Sequence, residues 1–104
     1  MELAVAAYQI VKGMPREETL ALADQIRRSA VSVPSNIAEG YGRNTTKEYV
    51  RFLSVARGSC YELETQLYLC VRLNYVTEKD CETALGLIRE VSKMLITIMT
   101  KLGI

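Results

Sequence analysis

The sequence predicts an all-α protein, an antiparallel up-down-up-down four-helix bundle, and three observations carry that prediction. Apolar residues recur three and four positions apart along nearly all of the 104 residues, with no competing alternation of period two. Helix-stopping and helix-starting residues cut that pattern into four segments. The connections between segments are short, which makes neighbouring helices antiparallel. A chain of this length makes one domain, residues 1–104, around a single core.

The first helix is expected from about Glu2 to Lys12, where Gly13 and Pro15 end it. The second is expected to start near Pro15 or Arg16, with Glu17 and Glu18 at the positive end of its dipole. Leu20, Ala23, Ile26, Ala30, Val33, Ile37 and Tyr41 set its apolar rhythm. Pro34 falls inside that rhythm and removes a donor to the carbonyl of Ala30, so a kink is expected there. Gly40 and Gly42 are expected to end the helix.

The third helix opens on Thr45-Thr46-Lys47-Glu48, which has the form of a capping box. Tyr49, Phe52, Leu53, Ala56, Cys60, Leu63, Leu67, Cys70 and Val71 then fall within an arc of about 100°, the width of a core-facing stripe. Asn74-Tyr75-Val76 forms the next turn, and Thr77-Glu78-Lys79-Asp80 caps the fourth helix. Cys81, Leu85, Ile88, Val91, Leu95, Ile98, Met99 and Leu102 are its core positions.

Composition excludes several classes of function. The chain has no histidine, which removes the usual general base near neutral pH and the commonest transition-metal ligand. A hydrolase built on Cys-His or Ser-His is therefore excluded, and neither a catalytic constellation nor a metal or cofactor site is expected. Cys60, Cys70 and Cys81 are odd in number and lack Cys-x-x-Cys spacing, as expected for free buried thiols in a reducing compartment. No apolar run approaches the roughly 20 residues a membrane span needs, and Met1-Glu2-Leu3 does not begin a basic secretory leader. A soluble, cytoplasmic protein is expected.

The segment Val33-Pro34-Ser35-Asn36-Ile37-Ala38-Glu39-Gly40-Tyr41-Gly42-Arg43 matches no catalytic signature. Its structural residues are Pro34, Asn36, Glu39, Gly40 and Gly42, with Asn36 and Glu39 placed to bond backbone groups freed by Pro34, or to make a subunit or nucleic-acid contact. Gln25-Ile26-Arg27-Arg28-Ser29-Ala30 precedes it and Glu48-Tyr49-Val50-Arg51-Phe52-Leu53 follows. Ala56-Arg57-Gly58-Ser59, Glu62-Leu63-Glu64-Thr65-Gln66-Leu67 and the Leu73-Asn74-Tyr75 turn extend the set over nearly the whole chain.

These residues together resemble the bacterial four-helix-bundle family of 23S rRNA intervening-sequence proteins, which also includes accessory proteins of diversity-generating retroelements. The resemblance implies a homopentameric ring without a settled biochemical activity. The accessory branch is strongly basic and binds nucleic acid and its reverse transcriptase. This chain has a net charge of +1, which places it with the intervening-sequence branch. Its first helix is shorter than is usual for the family and lacks the tryptophan often found there.

Self-association also follows from the residues. Ala84, Leu87, Met94 and Ile96 widen the fourth helix's apolar stripe to roughly 200°, twice what one core needs. The third helix carries a second strip, Val55, Leu69 and Leu73, beside the small Gly58 and Ser59 and flanked by Glu62. Exposed apolar patches of this kind mark interfaces. Val55, Gly58, Ser59, Glu62, Leu69, Leu73, Leu87 and Met94 are the candidate oligomer contacts.

Charge is unevenly spread. Residues 27–57 hold Arg27, Arg28, Arg43, Lys47, Arg51 and Arg57 against Glu39 and Glu48, a local balance of +4. A ring would repeat such a patch and attract phosphate backbones of structured RNA or DNA. The alternative is a solvated face with local pairs, Asp24 with Arg28 and Glu39 with Arg43. Two readings stay open. One is a non-catalytic homo-oligomer that binds nucleic acid through these six residues; the other is a scaffold for a protein partner. Clustering of the six on one rim favours the first, and scatter into intrachain pairs the second.

Overall fold

The computed structural model describes residues 1–15 and 20–103. Four helices account for nearly all of them: α1 (Glu2–Lys12), α2 (Leu20–Tyr41), α3 (Thr46–Arg72) and α4 (Glu78–Lys101). There is no strand among the described residues. α2 packs most extensively on α3, and α1 lies against both α2 and α4. α4 in turn packs on α3, while the backbones of the diagonal pairs stay further apart. That is a square, antiparallel, up-down-up-down bundle, extending 44 × 20 × 18 Å. The expected starting point of α2, at Pro15 or Arg16 with Glu17 and Glu18 in its first turn, lies outside the described residues.

The core follows the helical rhythm. Ile26, Leu53, Leu63, Leu67, Ile88 and Leu95 are the largest side chains sealed inside it, and Cys60, Cys70 and Cys81 are free thiols within the same layers. At ~25 cal/mol per Å² of apolar surface removed from water, such residues supply most of the drive to fold. The rhythm fails at both ends of α2. Leu20, at the rim of a cleft beside α1, is 66% exposed and Tyr41 81%. Tyr41 instead meets the ring of Tyr49 edge-on at 6.2 Å between centroids.

Three local expectations are corrected. Gly40 does not stop α2: it lies inside the helix and is buried. A β-carbon there would stand 2.7 Å from Phe52 Cβ and 3.0 Å from Tyr49 Cδ1, so the absent side chain lets α2 and α3 approach near their connection. Gly42 does lie in that connection, its N–H bonded to the carbonyl of Ala38. At the start of α3, Thr45 Oγ1 accepts from the N–H of Glu48 at 3.2 Å, but Glu48 does not return a bond to the cap, so only half of the expected box forms. The complete capping box is at α4, where Thr77 and Asp80 bond reciprocally at 3.1 and 2.9 Å. Finally, Asp24 pairs with Arg27 at 3.0 Å rather than with Arg28.

α2 passes through Pro34 as one helix. α3 ends in a tight cap: Asn74 takes a left-handed conformation, φ 61°, and the N–H of Tyr75 reaches back to the carbonyl of Cys70 at 2.9 Å. The 11 residues of α1 compare with 27 in α3. At 1.5 Å per residue, α1 covers about half the length of α2 and α4, with 22 and 24 residues, against which it packs.

Candidate interaction faces

A polar seam joins α2 to α3. Ser29 donates to Glu62 Oε1 at 3.0 Å, and one turn along, the Ser32 and Ser59 hydroxyls are 2.8 Å apart. One turn further, Asn36 Nδ2 donates to the Ser32 carbonyl at 2.8 Å and to its hydroxyl at 2.9 Å. Small hydroxyl residues permit this because they bring two backbones close while satisfying each other's polar atoms. Asn36 and Glu39 do not bond the backbone groups freed by Pro34, as expected from the sequence: the Asn36 amide bonds Ser32 instead, and Glu39 pairs with Arg43. Sequence reasoning missed Ser29 and Ser32. Their signal is their spacing, three apart on α2, facing Ser59 and Glu62 three apart and in reverse order on α3. Gln66, buried one turn beyond Glu62, leaves its Oε1 without a bonding partner among the described residues.

The seam fixes which way α3 faces. Val55, Glu62 and Leu69 are seven residues apart, so they form one column along the α2 side of α3. Val55, Leu69 and Leu73 are each 45–48% exposed. Gly58 is exposed with open space around it, and Ser59 is buried beneath the column. Six of the candidate oligomer contacts therefore belong to one face. Leu87 and Met94 do not. They line a separate apolar groove with Leu3, Pro34, Ile37 and Val91, at the end of the bundle that α1 leaves uncovered.

The six candidate cations do not share a rim. Arg43, Lys47 and Arg51 sit at the α2–α3 connection and on the first turns of α3. Arg28 lies 15 residues up α2 from Arg43, roughly 20 Å at helical rise. Three of the six are engaged within the chain. Arg27 pairs with Asp24. Arg43 bonds Glu39 at 2.6 Å and lies 4.7 Å over the Phe52 ring. Arg57 Nε donates to the Tyr61 hydroxyl at 3.1 Å, with its guanidinium 5.4 Å over that ring. Arg28, Lys47 and Arg51 are exposed and have no hydrogen bond or ion pair among the described residues.

No group of three or more Cys, Asp or Glu among the described residues is placed to hold a metal ion. The buried thiols are held protonated: burial raises Cys60 and Cys81, and burial with the neighbouring Cys81 raises Cys70 to about 11. No helix among the described residues is long and apolar enough to cross a membrane.

Fold and surface together define a small helical bundle whose distinguishing features are a polar α2–α3 seam and the half-exposed apolar column beside it. The chain belongs to the 23S rRNA-intervening sequence protein family, whose pattern matches residues 1–97. It is also similar to a protein of unknown function from the S23 ribosomal protein family of Bacteroides thetaiotaomicron VPI-5482, known from a 1.70 Å crystal structure. The two are 28% identical and superpose with a TM-score of 0.87 over 94% of this chain and 92% of the other. Comparison with curated proteins gives no match.

Proposed function

We propose that this chain is a non-catalytic, cytoplasmic helical bundle that assembles with copies of itself through its α2–α3 face, in a closed ring such as the pentamer its family resemblance implies. One observation carries the reading. Val55, Leu69 and Leu73 stand half-exposed in line with the seam, on a helix pair already rigidly packed from behind. A rigid apolar strip of this kind gains from burial with little backbone left to order. Light scattering on a size-exclusion column tests it. The wild type should elute as an oligomer, and a Val55→Glu, Leu69→Glu variant with unchanged helical circular dichroism should elute as a monomer. A monomeric wild type at tens of micromolar overturns the reading.

A second reading has its own support. Arg43, Lys47 and Arg51 gather at one end of the bundle, and Lys47 and Arg51 are free of partners among the described residues. A ring would repeat this end and hold structured RNA or DNA by its phosphates. Fluorescence anisotropy against an RNA hairpin and a duplex DNA, at low and physiological salt, tests it beside Lys47→Glu, Arg51→Glu. Absence of binding at low salt removes nucleic acid from the proposal and leaves a scaffold for a protein partner.

A further inference from the structure

Self-association through the α2–α3 face requires a surface on the next copy to receive it, and charge and exposure single one out. On the α1–α2 side, Tyr8, Lys12, Leu20 and Arg27 line one cleft. Tyr8 and Leu20 are exposed, as is Val31 four residues beyond Arg27 on α2. Lys12 lies in the cleft itself and Arg28 on the outer surface of α2, midway around the helix between Arg27 and Ser29; both are exposed and without an ion pair among the described residues. Opposite in sign, Glu62 is the carboxylate in the middle of the apolar column on α3. One of its oxygens accepts from Ser29, and the other is unbonded among the described residues. Arg51 and Arg72 lie toward the two ends of α3 and leave that middle acidic.

We propose that the α1–α2 face of one copy docks on the α2–α3 face of the next, with Lys12 and Arg28 meeting Glu62 while Tyr8, Leu20 and Val31 cover Val55 and Leu69. The inference rests on the self-association proposed above. Geometry supports it independently of charge. The two faces share α2 and so stand about 90° apart on a square bundle. Head-to-tail contact between faces at that angle closes after about four or five copies, and closed point-group assemblies are the rule for soluble homo-oligomers. Opposite faces, 180° apart, would instead string copies into an open filament. The groove around Leu87 and Met94 runs between α2 and α4 at the start of α1, and the one charged residue in its lining, Glu2, has the same sign as Glu62, so it is not the receiving surface.

Engineered cysteine pairs test the arrangement, since the native thiols are buried. Tyr8→Cys, Leu69→Cys and the double variant are each oxidised with diamide and run on a denaturing gel, with light scattering of every sample before oxidation. The double variant should form a ladder of covalent multimers, and neither single variant should form more than traces. A strong dimer band from Leu69→Cys alone overturns the proposal, because it means the same face meets itself across a two-fold axis. An oligomeric double variant with no ladder overturns it as well. A monomer by light scattering is a different failure, that of the self-association itself. A charge swap gives a second readout: Glu62→Arg should weaken assembly at least tenfold, and Glu62→Arg with Lys12→Glu and Arg28→Glu should restore most of it. Glu62→Gln serves as the control for loss of the Ser29 bond. Equal weakening by Gln and Arg with no restoration would assign Glu62 to the seam alone and overturn the charge contact.

Discussion

Gly40→Ala isolates the most demanding contact in the fold. An added β-carbon would sit 2.7 Å from Phe52 Cβ, 3.0 Å from Tyr49 Cδ1 and 3.3 Å from the Tyr49 carbonyl. Phe52 Cβ is fixed to its backbone, so relief requires α3 or the end of α2 to move. Overpacking of this kind costs about 1–3 kcal/mol. Against it stands the helical preference of alanine over glycine, at most about 1 kcal/mol and less near a helix end. The balance is a net loss centred on about 1–2 kcal/mol, with a fall in Tm of roughly 4–8 °C per kcal/mol for a domain of this size.

The assay is urea and thermal unfolding followed by circular dichroism, at one protein concentration because the proposed self-association would shift apparent stability. Gly86→Ala is the matched control. Gly86 is also helical, and a β-carbon there meets nothing within 4 Å. It should therefore show the propensity gain alone, up to about 1 kcal/mol. A Gly40→Ala protein as stable as wild type, beside a stabilised Gly86→Ala, would refute the close approach. Equal losses in both would refute the reasoning differently, by showing that helix geometry tolerates alanine at neither site.

Four further outcomes are expected. Ala56→Asp places an unpaired charge at a fully buried position on α3 and should abolish the cooperative melt; retention of a native transition would mean that the inner face of α3 is misassigned. Asn74→Ala should cost about 1 kcal/mol and Asn74→Gly nothing, since the residue holds φ 61°, a difference readable in denaturation midpoints. The Thr77 backbone N–H and hydroxyl hold the Asp80 carboxyl below its ordinary range. Its contribution is therefore complete above the unfolded value and fades as pH falls through the folded one; thermal melts from about pH 5 down to about pH 2.5 should show Asp80→Asn losing less on acidification than wild type. The three buried cysteines, with Cys70 raised to about 11, should react with a disulfide reagent near neutral pH only after denaturation; rapid native labelling at Cys70 would show that α3 and α4 open.

Periodicity made the helices legible because burial is decided mainly by angle around a helix axis, and Leu53, Ala56, Leu63 and Leu67 sit inside for that reason. It failed where distance along the axis matters. Leu20 and Tyr41 keep the rhythm yet lie at the first and last described positions of α2 and are largely exposed. Gly40 shows a second gap. Glycine near a helix end ordinarily signals a stop, and only the position of Phe52, 12 residues away in sequence, reveals that it serves packing. The two caps make the same point more locally: Thr-x-x-Glu and Thr-x-x-Asp look alike as text, yet only Asp80 completes its box.

The interaction faces were legible as composition and illegible as arrangement. That Val55, Leu69 and Leu73 would be exposed follows from their spacing, but that α2 lies beside them follows only from the Ser29–Glu62 and Ser32–Ser59 contacts. Those contacts also restrain Glu62 by tying one of its oxygens to the seam. The basic residues lose most in translation from sequence to space, because a local balance of +4 over residues 27–57 is spread along two antiparallel helices, and Arg27, Arg43 and Arg57 already have partners. Lys12 and Arg28 have no ion pair among the described residues, and Lys12 lines the α1–α2 cleft, away from Glu62. Unpaired charges of opposite sign, each set near exposed apolar groups on adjacent faces, are an arrangement that a neighbouring copy of the same chain would satisfy.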